Sequence, residues 1–123
     1  MTFTLEERKA IYRIARAMVL ADGNVDNNEM GALANEMFRI GSNPDELIAF
    51  EEGIGEFKPS MAVNVISDFD DEKKKFFCAF LGALIIVDGE IDENEMKLWS
   101  LTSHFCGLPT MSVGDAIEYM TKL

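Results

Sequence analysis

The sequence predicts an all-α protein: a single helical bundle of about seven helices, built from two helix-loop-helix repeats related by a pseudo-twofold axis. Three observations carry that prediction. Apolar residues recur at helical spacing while strand signals are weak. Glycine, proline and capping residues divide the chain into helix-sized pieces. The third is self-similarity: Asp22-Gly23-Asn24-Val25-Asp26-Asn27-Asn28-Glu29-Met30 returns 66 residues later as Asp88-Gly89-Glu90-Ile91-Asp92-Glu93-Asn94-Glu95-Met96. At the same offset Ala17 matches Ala83 and Gly41 matches Gly107. Two copies are too few for a solenoid, so they are expected to pack on each other as one bundle.

The elements follow in order. Leu5, Ile11, Ile14, Ala15, Met18 and Val19 mark an amphipathic helix over residues 5–21 that also carries Arg8, Lys9, Arg13 and Arg16. Gly23 stops it and Asp26 caps the next helix, whose apolar face is Met30, Leu33, Ala34, Met37 and Phe38, ending at Gly41. Asn43-Pro44-Asp45-Glu46 starts a third helix, with Asn43 as N-cap, Pro44 at the first helical position and Glu46 closing a capping box. A connector from Gly53 to Pro59 leads to a short helix capped by Ser60 and running through Ile66. After the break at Ser67-Asp68-Phe69-Asp70 comes a long helix, 71–87, polar in Asp71-Glu72-Lys73-Lys74-Lys75 and apolar from Phe76 onward. Asp92 opens a helix that ends before Gly107. Leu108-Pro109 breaks the chain, and Ser112 with Asp115 caps a last helix to Tyr119 or Met120. One domain results: repeat one over about 5–53, a connector over about 54–70 and repeat two over about 71–121, within the 100–200 residues usual for a domain.

Composition excludes several function classes. The 123 residues are 48% hydrophobic, enough for a packed core. The formal net charge is -11, which repels phosphate backbones and anionic membrane surfaces and attracts cations and basic protein surfaces. No run reaches the 20 or so apolar residues that a bilayer requires, and the first residues lack the pattern of a signal peptide. Cys78 and Cys106 sit in apolar surroundings, as expected of buried reduced thiols in a cytoplasmic protein; a disulfide stays open on sequence grounds. There is no Gly-rich phosphate loop and no Cys/His metal spacing. His104, the one histidine, is expected to be a partly buried helix residue, and Trp99 and the methionines core residues. Lys73-Lys74-Lys75 is expected to be the solvated first turn of its helix.

The repeated loop has three readings. As an EF-hand it aligns well in its second half: Gly23 falls at position 6, Val25 at 8, Asp26 at 9 and Glu29 at 12, and the second copy matches. Positions 1 and 3 then fall on Met18 and Leu20, and on Leu84 and Ile86, whose apolar side chains cannot ligate a hard cation. The chain therefore holds no standard EF-hand. As helix caps, Asp26 with Glu29 and Asp92 with Glu95 form capping boxes, each following a left-handed glycine. That leaves Asp22 and Asp88 unexplained, because each sits at a helix C-terminus, where partial negative charge disfavours a carboxylate. Arg13, Arg16 and Lys97 are candidate counter-charges by type. A divalent cation held by Asp22, Asp26 and Glu29, and by Asp88, Asp92 and Glu95, is the third reading, and six carboxylates would converge if the pseudo-twofold brought the loops together. Val25 and Ile91 are expected to anchor the loops to the core.

At these residues the chain resembles the TerB-like family, which includes tellurite-resistance TerB proteins and the N-terminal domains of DjlA-type co-chaperones. The strings Ala21-Asp22-Gly23-x-Val25-Asp26-x-x-Glu29 and Val87-Asp88-Gly89-x-Ile91-Asp92-x-x-Glu95 carry the resemblance, which spans about residues 5–121. It implies an all-helical domain of two similar halves and acidic metal-binding loops, with Asp22, Asp26, Glu29, Asp88, Asp92 and Glu95 as ligands of a divalent ion (Ca, Mg, Mn or Zn). It implies a link to tellurite or stress resistance by family name only. No J-domain motif occurs in the chain, so a co-chaperone role is not implied. The expected function is a non-catalytic, cytoplasmic metal-binding module. The alternative is a protein-protein interaction module whose acidic loops are only helix caps. An enzyme using the carboxylates as acid and base is the third class, and no pair of unequal carboxylates points to it.

Asp22→Asn and Asp88→Asn are expected to stabilise the metal-free protein by about 0.3–1 kcal/mol each, since each removes a negative charge from a helix C-terminus. Urea unfolding in the presence of a chelator measures it, and a clear loss of stability would point to an internal ion pair instead.

Overall fold

The computed structural model of the chain describes residues 1–21, 23, 27–86 and 89–123. Every regular element among them is a helix: α1 (Leu5–Val19), α2 (Asn27–Arg39), α3 (Pro44–Glu52), α4 (Pro59–Ser67), α5 (Asp71–Ile85), α6 (Glu93–Cys106) and α7 (Val113–Thr121). The expected all-α bundle is what the chain forms. α5 begins and ends 66 residues after α1. Asp22, Val25, Asp26 and Asp88 lie outside the described residues.

Two apolar helices dominate the interior. α5 buries an unbroken run from Phe76 to Gly82 and then Leu84 and Ile85. α1 buries Ala10, Ile11, Tyr12, Ile14, Ala15, Met18 and Val19. They touch each other, and each is covered chiefly by a different short helix, α1 by α4 and α5 by α7. α2 packs on α1 and α5, while α6 packs on α4, α5 and α1. An aromatic chain runs from Phe3 to Phe69 and Phe76 and on through Phe77 and Phe80, with ring centroids 5.2–6.5 Å apart.

Local chemistry sets the helix starts. Thr4 and Glu7 form a complete capping box on α1, and Ser112 and Asp115 form one on α7. Asn43 caps α3 through the Glu46 N–H at 2.8 Å. The Glu46 carboxylate, expected to close a box there, instead takes two hydrogen bonds from Arg8, at 3.0 and 2.6 Å. A bidentate guanidinium is a stronger donor to a carboxylate than a backbone N–H is. α4 starts one residue before Ser60, because Pro59 occupies the first helical turn and Lys58 the cap.

Burial corrects other expectations. Leu5 is 56% exposed and Phe38 40% exposed, each at the edge of an otherwise buried stripe. Ile91 is 61% exposed, so it does not anchor its loop; the side chain that turns inward there is Glu95. His104 is exposed, with its ring edge-on to Phe105. Lys73 is more than a solvated residue: its Nζ bonds both oxygens of Glu7 at 2.9 Å and lies 5.3 Å from the centre of the Phe3 ring, tying α5 to α1. Trp99 is buried as expected, and Cys78 and Cys106 are buried free thiols.

Gly82 of α5 is the most tightly packed of the glycines. A Cβ there would lie 2.6 Å from Trp99 Cζ2 and 2.7 Å from Ala116 Cβ, so its hydrogen is what lets α6 and α7 close on α5. Gly82→Ala is expected to lose about 1–3 kcal/mol by overpacking, outweighing its better helix propensity. Gly31→Ala, at an open helical position with nothing within 4 Å, is expected to gain up to about 1 kcal/mol. Chemical denaturation of both variants tests the pair, and equal effects would contradict the packing argument.

Candidate metal-binding loops

Each candidate loop follows the end of a buried helix. α1 ends at Val19 and α5 at Ile85, and in both the chain then turns through a glycine of positive φ, Gly23 at 81° and Gly89 at 84°. Side-chain-bearing residues rarely adopt that conformation. The turn closes the same way in both copies, with Gly23 N–H donating to Leu20 O at 3.0 Å and Gly89 N–H to Ile86 O at 2.9 Å. Nothing lies within 4 Å of where a Cβ would stand on either glycine, so it is backbone conformation, not space, that calls for glycine.

The next helix starts with an acidic turn. Asp92 is the N-cap of α6, its Oδ1 accepting from the Glu95 N–H at 3.0 Å, which is the Asp half of the expected box. Glu95 is 1% exposed and Glu29, at the matched place on α2, is 6% exposed. Of the six predicted ligands, these three are therefore described: two buried glutamates and one cap. Asp22, Asp26 and Asp88 lie outside the described residues. Among the described residues no group of three or more His, Cys, Asp or Glu side chains could hold a metal ion. α2 and α6 are not a closely packed pair.

The arginines named as counter-charges have other partners. Arg13 Nε donates to Phe57 O at 2.8 Å, and Arg16 Nε donates to Glu51 Oε1 at 2.6 Å. Both contacts join α1 to α3 and the connector after it. Sequence reasoning missed them, since nothing in the spacing of α1 and α3 says which faces meet.

It also missed a hollow of about 620 Å³ between α6 and residues 107–111, lined by Trp99, Ser103, His104, Leu108 and Pro109 among others. The Pro109 break signalled only the turn. Below it, Trp99 Nε1 donates to Cys78 O at 3.0 Å and Cys78 Sγ donates to Pro109 O at 3.2 Å. Burial pushes the Cys78 thiol up, outweighing its contact with Ser103, and pushes Cys106 up to about 11. Thiols held protonated in this way are poor nucleophiles at neutral pH.

Removing the Asp92 cap bond, by Asp92→Ala, is expected to lower stability by about 1 kcal/mol. Asp92→Asn retains an accepting oxygen and is expected to keep most of it. Thermal unfolding of the two variants without metal checks the ranking, and an Asn variant as weak as Ala would mean that charge, not capping, is what Asp92 supplies.

No protein-family model matches the chain, and no curated protein does. A solved structure does: a protein of unknown function, PG1108, from Porphyromonas gingivalis W83, 39% identical, with a TM-score of 0.87, the match covering 100% of this chain and 99% of that one. Identity at that level over the full length carries common descent as well as common fold, and the chain belongs to the family of that Porphyromonas gingivalis protein.

Proposed function

We propose that the chain is a non-catalytic, cytoplasmic helical module that binds a divalent cation at its acidic loops. One observation carries the reading: the two repeated loops each deliver a buried carboxylate, Glu29 and Glu95, six residues after a left-handed glycine turn. Burying a carboxylate is expensive unless hydrogen bonds, an ion pair or a metal compensates. In the EF-hand register these glutamates occupy position 12, the one that supplies a bidentate ligand. Oxygen-only donors suit Ca²⁺, Mg²⁺ or Mn²⁺ better than Zn²⁺, which favours nitrogen and sulfur. The separation of α2 and α6 supports one ion per loop, with Asp22 and Asp26 joining Glu29, and Asp88 and Asp92 joining Glu95. The TerB-like resemblance, with its link to tellurite or stress resistance, is part of the same proposal. In keeping with a module outside the bilayer, no helix among the described residues is long and apolar enough to cross a membrane.

A second reading, a protein-protein interaction module with purely structural loops, is favoured by one feature. α6 exposes Leu101 at 51% and Phe105 at 66%, one helical turn apart, with Leu98 partly buried on the same side.

Titration with Ca²⁺, Mg²⁺, Mn²⁺ and Zn²⁺ separates the two. Under the metal reading an ion at about a hundred times its Kd raises stability by about 2.7 kcal/mol, and the Glu29→Gln, Glu95→Gln double variant loses that gain. If no ion shifts the melting temperature at millimolar concentration, the interaction reading stands alone.

A further inference from the structure

α3 is attached differently from the other helices. It is not among the closely packed helix pairs of the described residues, and it fully buries one side chain, Phe50. What holds it is a ladder of polar and ring contacts to one stripe of α1, where Arg8, Tyr12 and Arg16 follow at four-residue intervals. Arg8 takes Glu46 in a bidentate pair. The Tyr12 ring lies 5.8 Å from that of Phe50, and its hydroxyl donates to Glu51 Oε1 at 2.5 Å. Arg16 donates to the same oxygen at 2.6 Å. The connector continues the seam, with Arg13 donating to Phe57 O at 2.8 Å and Lys9 Nζ lying 4.4 Å from the Phe57 ring centre.

We propose that α3 and the connector through Phe57 form a strap fastened to α1 by these ion pairs and hydrogen bonds, which opens as a unit while the rest of the bundle stays folded. α1 is also covered by α4, α2 and α5, so lifting the strap uncovers the Phe50, Leu47 and Phe57 edge of the core and leaves the packing of α1 on those helices in place. Opening bares a cationic-aromatic stripe, Arg8–Tyr12–Arg16, on a chain of net charge -11. In the closed state Glu46 and Glu51 of α3 occupy that stripe.

The fastening depends on charge. The groups facing one another are Arg8, Lys9, Tyr12, Arg13 and Arg16 from α1, and Glu46 and Glu51 from α3. Arg8 holds the Glu46 carboxyl below its ordinary value. Burial works against ionisation of Glu51, but the hydrogen bonds from Tyr12 and Arg16 prevail and hold it low as well. Carboxyls depressed in the folded state stabilise it above their unfolded value and cease to do so as pH falls through the folded one, so the strap loosens below about pH 4. The pairs are partly exposed, Arg16 and Glu51 more than Arg8 and Glu46, so salt loosens it too.

Hydrogen exchange followed residue by residue tests this on the full chain. In the Arg8→Gln, Arg16→Gln double variant, amides of residues 47–57 are expected to exchange at least about tenfold faster while those of 76–85 change by less than about twofold, the signature of a local opening. Glu51→Gln alone, a milder change, and the unmodified chain in 1 M salt are expected to show the same selectivity at smaller amplitude. If both segments speed up together, or if residues 47–57 do not respond in any of the three, there is no strap and the idea is overturned.

Discussion

The constraint on which the rest of the structure depends is the burial of two apolar helices side by side. α1 and α5 cannot hide their faces alone, so α4 and α7 cover them and α2 and α6 close the remaining sides. Helices buried this deeply must end abruptly, because continued helix would carry their apolar faces out of the core. Both end within a residue or two of the last fully buried side chain, and both then turn through a glycine. The acidic loops are thus a product of the core: they are where two buried helices hand the chain back to two amphipathic ones.

That position gives the loop carboxylates their chemistry. A helix C-terminus presents unsatisfied carbonyl oxygens and partial negative charge, while the next helix N-terminus presents N–H groups and partial positive charge. Asp92 is well placed for the second and uses it, as its bond to the Glu95 N–H shows. Glu95 and Glu29, three residues into the same turn, are buried.

Much of this was legible in the sequence. Several helix starts were, because Asn43, Asp92 and Ser112 are local signals that act within one turn. The glycine turns were, because a left-handed residue leaves a compositional mark. Long-range pairing was not. Glu46 reads as a capping-box residue from its neighbours and turns out to belong to Arg8, 38 positions away. Lys73 reads as a solvated lysine and bridges Glu7. Ile91 reads as an anchor because it is apolar, yet it faces water while the charged Glu95 is buried. In each case the deciding fact was which faces meet in three dimensions, which spacing along the chain does not encode. Glu29 and Glu95 were named as candidates from the repeat, but their burial was not legible there.

The proposed function places a cation at each acidic loop. Paramagnetic broadening by Mn²⁺ can locate it, because the ion quenches amide signals only close to where it resides. Under the proposed function, substoichiometric Mn²⁺ removes the Gly23, Glu29, Gly89 and Glu95 amide signals first, and excess Ca²⁺ or Mg²⁺ restores them. Broadening spread over the whole acidic surface, or none at these four residues, would contradict it.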